Sequence, residues 1–140
     1  MKTDKVIRTR CECDYCGKKN WSVGHMRKHE THCTMNPHRE CRMCNRICTD
    51  QKPIADLMTL LPDVQSWKDD YDNVIYQDNA TELLNESLPS LRDACENCPA
   101  CILAAIRQKG IHVGVVTSFD YKEEAKSAWN DTHSYSQQYF

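Results

Sequence analysis

The residues of this chain most able to do chemistry are its 10 cysteines and 6 histidines, and their spacing points to metal ions. Cys13 and Cys16 stand three apart, His29 follows, and Cys33 comes four residues after His29. A two-residue gap in a tight turn directs both thiolates at one ion. Residues four apart on a helix share a face, so His29 and Cys33 could complete a tetrahedral zinc site. Competing ligands fit less well. His25 leaves a short connection after Cys16, His32 adjoins Cys33 and would face elsewhere on a helix, and Cys11 could replace Cys13 only with a wider loop.

Six cysteines remain, in two clusters: Cys41, Cys44 and Cys48, then Cys95, Cys98 and Cys101. One metal drawing the clusters together would close the chain between them. Cys41 and Cys44 with Cys98 and Cys101 are the simplest ligand set. Cys48 and Cys95 are alternative ligands, and His38 could substitute. This part resembles a zinc-ribbon or treble-clef staple with a long insert, which implies a structural zinc. An iron–sulfur cluster is the rival: Cys95, Cys98 and Cys101 match the first three ligands of a ferredoxin-type run, but Ala105 stands where the fourth is expected. The surplus Cys48 and Cys95 also suit buried apolar positions.

Other chemistries find little support. Catalytic zinc keeps an open position and favours histidine or carboxylate ligands, whereas both sets here are thiolate-rich. The H-x-E with P-C-x-x-C pattern of deaminases, a P-loop and a G-x-G-x-x-G run are absent from the sequence. Asn36, His38 and Asn45 lie close in sequence, but a histidine-based nuclease needs more than that. No enzymatic activity is expected.

Helices must position these ligands. "DQKPIADLMTLLPD" puts Ile54, Leu57, Met58 and Leu61 on one helical face, opened by Pro53 and ended by Pro62. "NATELLNESLPSLRDAC" predicts a second helix, bent or broken at Pro89. "PACILAAIRQKG" has Pro at its start, Arg107 and Lys109 in its last turn, and Gly110 to end it. "IHVGVV" reads as a short strand. "DYKEEAKSAWND" predicts a last helix with Asp120 and Glu123 as a capping pair. The final ten residues lack apolar periodicity and are expected to be loose.

Residues 11–33 resemble a C2H2-like zinc finger of the C2HC subclass, which implies a ββα fold. Trp21 and Met26 would form its miniature core, covered by Val6 or Ile7 from a preceding strand. Gly17 would take positive φ after the second cysteine, and Ser22 would cap the helix. The aromatic comes one position later than the family pattern, and Cys33 replaces the usual histidine. So small a core needs zinc to supply its folding energy. The resemblance also implies nucleic-acid contacts from Ser22, Gly24, His25 and Lys28, with Lys18, Lys19 and Arg27 at phosphates. Fingers ending in cysteine also serve as protein-binding modules.

Charge divides the chain. Residues 1–52 carry 12 Lys/Arg against 6 Asp/Glu, a net of +6, and residues 53–140 carry 6 against 14, a net of −8. Such asymmetry predicts two surfaces with different partners. Arg8, Arg10, Arg39, Arg42 and Arg46 would flank the finger as further phosphate contacts. No apolar leader or membrane-length run appears, so an intracellular, reducing location is expected, where thiols bind metals. The expectation is therefore a small α-rich metalloprotein with two Zn2+ sites. Its parts are a finger over 1–34, a metal-stapled helical domain over 35–119, and a helix with a polar tail over 120–140. Its role would be regulatory or adaptor: nucleic acid, or a machine bound to it, at the basic half and a protein at the acidic body. A pure protein-interaction module, acting as an inhibitor or assembly factor, is the main alternative, and a redox or iron–sulfur protein the second.

Overall fold

A computed structural model describes residues 1–138, and among them lie six α-helices and two small antiparallel sheets. Two-residue strands β1 (Cys11–Glu12) and β2 (Lys19–Asn20) pair with Cys11 opposite Asn20, and α1 (Val23–His32) follows. The turn between the strands is drawn tight by the Cys13 N–H to the Lys18 carbonyl (2.8 Å) and the Gly17 N–H to the Cys13 carbonyl (3.0 Å). Gly17 adopts φ +74°, where a side chain would be strained. Ser22 Oγ accepts from the His25 N–H at 3.3 Å and caps α1.

The expected miniature core is only half right. Met26 is buried with Cys13 and Cys33, but Met35, from beyond the helix, covers them along with Cys11 and Cys16. Trp21 is 60% exposed and lies beside the Arg10 guanidinium, 5.8 Å from its ring centre. Val6 and Ile7 are exposed, and no strand forms over residues 1–10. An indole needs more apolar surface than a module of this size provides, so it stays at the rim with a cation for company.

The body is built around α5 (Pro99–Gln108). Cys101 through Ile106 are buried without interruption, as in a helix packed on all sides. Helices α2 (Arg42–Arg46), α3 (Ile54–Met58) and α6 (Tyr121–Gln138) pack on it. Helix α4 (Ala80–Ala94) adds Leu84, Leu88 and Leu91, spaced by four and three, to the same core. Pro89 lies inside α4 and does not break it. Losing one backbone bond and accommodating the ring costs about 3 kcal/mol. Burial of Leu88 and Leu91 on either side returns about 1.5–3 kcal/mol each, and Pro89 itself is exposed.

Three more local expectations are corrected. "IHVGVV" forms a 3-10 turn over Val113–Val115, capped by His112 Nδ1 accepting from the Gly114 N–H, because no neighbouring strand offers it a ladder. The capping pair of α6 involves a different glutamate. Asp120 accepts from the Glu123 N–H (3.2 Å), but it is Glu124 that reaches back to the Asp120 N–H (3.3 Å). The terminal segment expected to be loose is helical to Gln138, while residues 139–140 lie outside the described residues.

A hairpin not read from the sequence, β3 (Ser66–Lys68) with β4 (Val74–Tyr76), precedes α4. Its turn is held by Asp69, whose carboxylate accepts from the Tyr71 and Asn73 N–H groups at 2.9 and 2.8 Å. The helix α6 is tied down by Glu124 against the Arg92 guanidinium of α4 (3.0 Å for Nη2 to Oε2) and by Arg46 lying 3.4 Å from the Trp129 ring centre. Residues 1–34 are stitched to the body where the Gln108 amide donates to the Thr34 and Asn36 carbonyls. No helix among the described residues is long and apolar enough to cross a membrane.

Candidate metal centres

Two clusters with the geometry to hold metal ions stand out: Cys13, Cys16, His29 and Cys33, and Cys41, Cys44, Cys98 and Cys101. In each, one donor atom from every residue lies within 4.8 Å of the others. All ten cysteines are free thiols. Zinc–sulfur bonds of about 2.3 Å in a tetrahedron place ligand sulfurs about 3.8 Å apart.

In the first cluster Cys13 and Cys33 sulfurs are 3.9 Å apart, and Cys16 Sγ is 3.2 Å from His29 Nε2. The knuckle supplies two ligands and α1 the others: His29 sits in its last turn and Cys33 caps its end. Glu30 Oε1 accepts the Asp14 N–H at 3.0 Å and pins knuckle to helix. Burial drives the Cys33 thiol up to about 11. Burial also opposes ionisation of Cys13, but the N–H groups of Cys16 and Tyr15 outweigh it and hold that thiol below its ordinary value. A metal-free pocket would thus keep part of its sulfur protonated, and a bound cation would displace those protons. Cys11 is only half-buried, His25 is exposed, and His32 directs Nδ1 at the Glu40 carbonyl (2.9 Å). None of the three joins the cluster.

The second cluster is deeper. Cys41 Sγ lies 3.6 Å from Cys98 Sγ, and Cys44 Sγ lies 3.4 Å from Cys101 Sγ. Cys41 is the N-cap of α2, Cys98 precedes Pro99 at the start of α5, and Cys101 is in its first turn, so two helix N-termini face the sulfurs. Those positive helix ends favour thiolate. Bonding from Cys101 brings the Cys44 thiol down to about 7, whereas the Cys101 thiol, bonded to Cys41, Cys44 and Cys98, is pushed far up. Four thiolates cannot coexist in so dry a place without a cation.

Arg39 supplies part of that cation. It is 5% exposed, its Nη2 lies 3.8 Å from Cys101 Sγ, and its Nε finds no hydrogen-bond partner. A divalent ion with four thiolates carries −2, and the guanidinium reduces this to −1. The expectation that Arg39 meets phosphate is therefore overturned. Arg46 is half-buried and stacked on the exposed Trp129 ring.

The two alternative ligands stay outside. Cys95 is buried, but its sulfur points at the Arg92 and Cys98 carbonyls, 3.9 Å from each, and burial pushes its thiol up. Cys48 is exposed at φ +58°. Glu96 and Asn97, at φ +54° and +61°, make the reversal that brings Cys98 to Cys41. Two adjacent non-glycine residues in this region are uncommon, and their strain serves to aim a ligand.

Of the basic residues read as nucleic-acid contacts, Lys18, Lys19, His25, Arg27 and Lys28 are all exposed, as are Arg8, Arg10 and Arg42. Comparison of the chain with family models, curated proteins and solved structures gives no significant match. The roles of these residues therefore rest on their own geometry and chemistry.

Proposed function

We propose that this chain is a zinc-binding adaptor or regulatory protein that contacts nucleic acid through its basic N-terminal half. Residues 11–33 read best as a ββα finger of the C2HC type, and the second cluster as a zinc staple. The sulfur separations of 3.4 and 3.6 Å in the second cluster are close to those around one tetrahedral ion, which supports a single metal over a multi-iron cluster. Each quartet fills all four positions of a tetrahedral ion, so neither retains an open site for catalysis. That supports a structural rather than enzymatic role.

The observation that carries the nucleic-acid reading is the division of α1 into two faces. Met26, His29 and the terminal Cys33 turn inward, while His25, Arg27 and Lys28 are exposed, as are Lys18 and Lys19 of the knuckle. A rigid helix presenting cations, fixed by its own metal, suits phosphate contact. Binding to DNA and RNA oligonucleotides should fall steeply with salt. Arg27→Ala/Lys28→Ala should lower the salt slope by about one unit for each phosphate no longer neutralised. Absence of binding by the wild-type chain at low salt would dismiss the reading.

One observation favours a second reading, protein interaction through the acidic body. The β3–β4 hairpin exposes Trp67, Tyr71, Val74 and Ile75 beside Asp69, Asp70 and Asp72. Exposed aromatics ringed by charge are typical of protein contacts. The two readings concern different surfaces and are compatible in an adaptor.

A further inference from the structure

A groove of about 540 Å³ runs between α1 and the body. Four helices contribute to its basic and aromatic wall: His25, Lys28 and His32 from α1, Arg42 from α2, Arg107 from α5 and Tyr121 from α6. No lining residue is acidic. Lys28, Arg42 and Arg107 are all exposed and converge on one open groove, which favours an anionic ligand there. Neither the Arg92–Glu124 nor the Lys109–Asp63 ion pair reaches this place. The first metal cluster contributes Cys16, His29 and Cys33 to the same wall. With zinc and three thiolates that cluster carries −1, which against three permanent cations leaves +2. The groove is cationic even after the metal site is counted.

Two contacts prepare the wall. Arg107 Nη1 donates to Thr34 Oγ1 at 2.9 Å, which fixes the guanidinium while leaving other N–H groups to donate. His32 is anchored through Nδ1 at the Glu40 carbonyl, so its ring orientation is set. Tyr121, at the first turn of α6, adds an aromatic face beside the cations.

We infer that this groove binds the backbone of single-stranded nucleic acid, with a base stacked on Tyr121. The inference rests on the nucleic-acid reading above and moves its centre from the exposed cations of α1 and the knuckle to the cleft that His25 and Lys28 also line. A groove of this volume suits a group of nucleotide scale. Cations along a groove with an aromatic platform are also the combination by which single strands are held without base reading. The smaller adjoining pocket, about 190 Å³, shares His32, Arg42 and Tyr121 but adds Glu40, so phosphate belongs in the larger one.

The test is fluorescence anisotropy of the full, metal-loaded chain with labelled oligothymidylate and a duplex of equal length, at several salt concentrations. Single strand should bind more tightly than duplex. Arg42→Gln/Arg107→Gln should reduce the salt slope by about 1.4, at about 0.7 for each phosphate of a single strand. Replacement of both by Lys should restore most of the slope. Tyr121→Ala should weaken binding about tenfold with the slope unchanged, and Tyr121→Phe should not. Metal content and helical signal verify that each variant is folded. Should a variant fail that check, ultraviolet crosslinking of the wild-type chain gives a second readout, and the crosslinked peptide should contain Tyr121. Wild-type slope in the Arg42→Gln/Arg107→Gln variant, with loss in Lys18→Gln/Lys19→Gln/Arg27→Gln, would overturn the groove and leave the finger-face reading standing. Preference for duplex, or crosslinks confined to the knuckle and outer face of α1, would also overturn it. No binding of any oligonucleotide by wild type would remove both.

Discussion

Taking the metal from the Cys41, Cys44, Cys98 and Cys101 cluster should destabilise the whole helical body. Cys41 and Cys98 are 57 residues apart in sequence, so an ion between them closes a long loop. By the relation used for covalent crosslinks, closure of a loop of that length is worth about 4 kcal/mol of unfolded-chain entropy. A metal that binds only the folded chain contributes in the same sense. Domains of ordinary size are stable by about 5–15 kcal/mol, so this is a large fraction of the total. The cluster is also continuous with the apolar core: Cys41, Cys44, Cys98 and Cys101 belong to the same buried group as Leu84, Leu91, Ile102 and Ile106. Repulsion among freed thiolates would therefore act at the centre of the fold. Thermal melts followed by far-ultraviolet circular dichroism, with and without a strong chelator, read the effect directly. A shift of roughly 15 °C or more is expected for a chain of this size. Cys98→Ser should reproduce it with the first cluster still loaded. A body that kept full helicity and its melting temperature after complete metal removal would refute the reasoning.

Three further outcomes follow from particular residues. Cys33→Ser should cost one metal equivalent and unfold residues 11–33 while sparing the body, whereas Cys11→Ser should leave metal content unaltered, both read by metal analysis. Arg39→Met should weaken the second site by roughly 10–100-fold in a chelator competition, because it removes a buried cation next to Cys101; unchanged affinity would exclude a charge-balancing role. Pro89→Ala should stabilise the chain by about 1–3 kcal/mol in urea unfolding, since it restores a backbone bond inside an otherwise continuous α4.

Both Cys/His clusters were legible in the sequence because the residue pairs that build them are local. A two-residue gap and a helical i, i+4 pair fix geometry before any tertiary contact forms. The choice of Cys98 over Cys95 was harder to read, since both continue the same C-x-x-C rhythm. It is decided by the left-handed Glu96 and Asn97, which turn the Cys95 sulfur toward backbone carbonyls. Helix α5 was plain from its Pro start and Gly end. The β3–β4 hairpin went unread because its turn depends on one side chain, Asp69, rather than on a Gly pair. Val113–Val115 has strand-like residues but no partner strand, a fact that only the assembled fold contains. Arg39 and Arg46 counted as two more surface cations by composition. Burial of Arg39 against a sulfur cluster and stacking of Arg46 on an indole are tertiary outcomes that charge patterning cannot foresee.

Metal content tests the two-site reading most directly. Native mass spectrometry of the full chain, purified without oxygen and without added metal, should show two zinc ions per chain in a colourless protein. Cys98→Ser and Cys33→Ser should each retain one. A chain carrying no metal, a single ion, or iron with inorganic sulfide would contradict it.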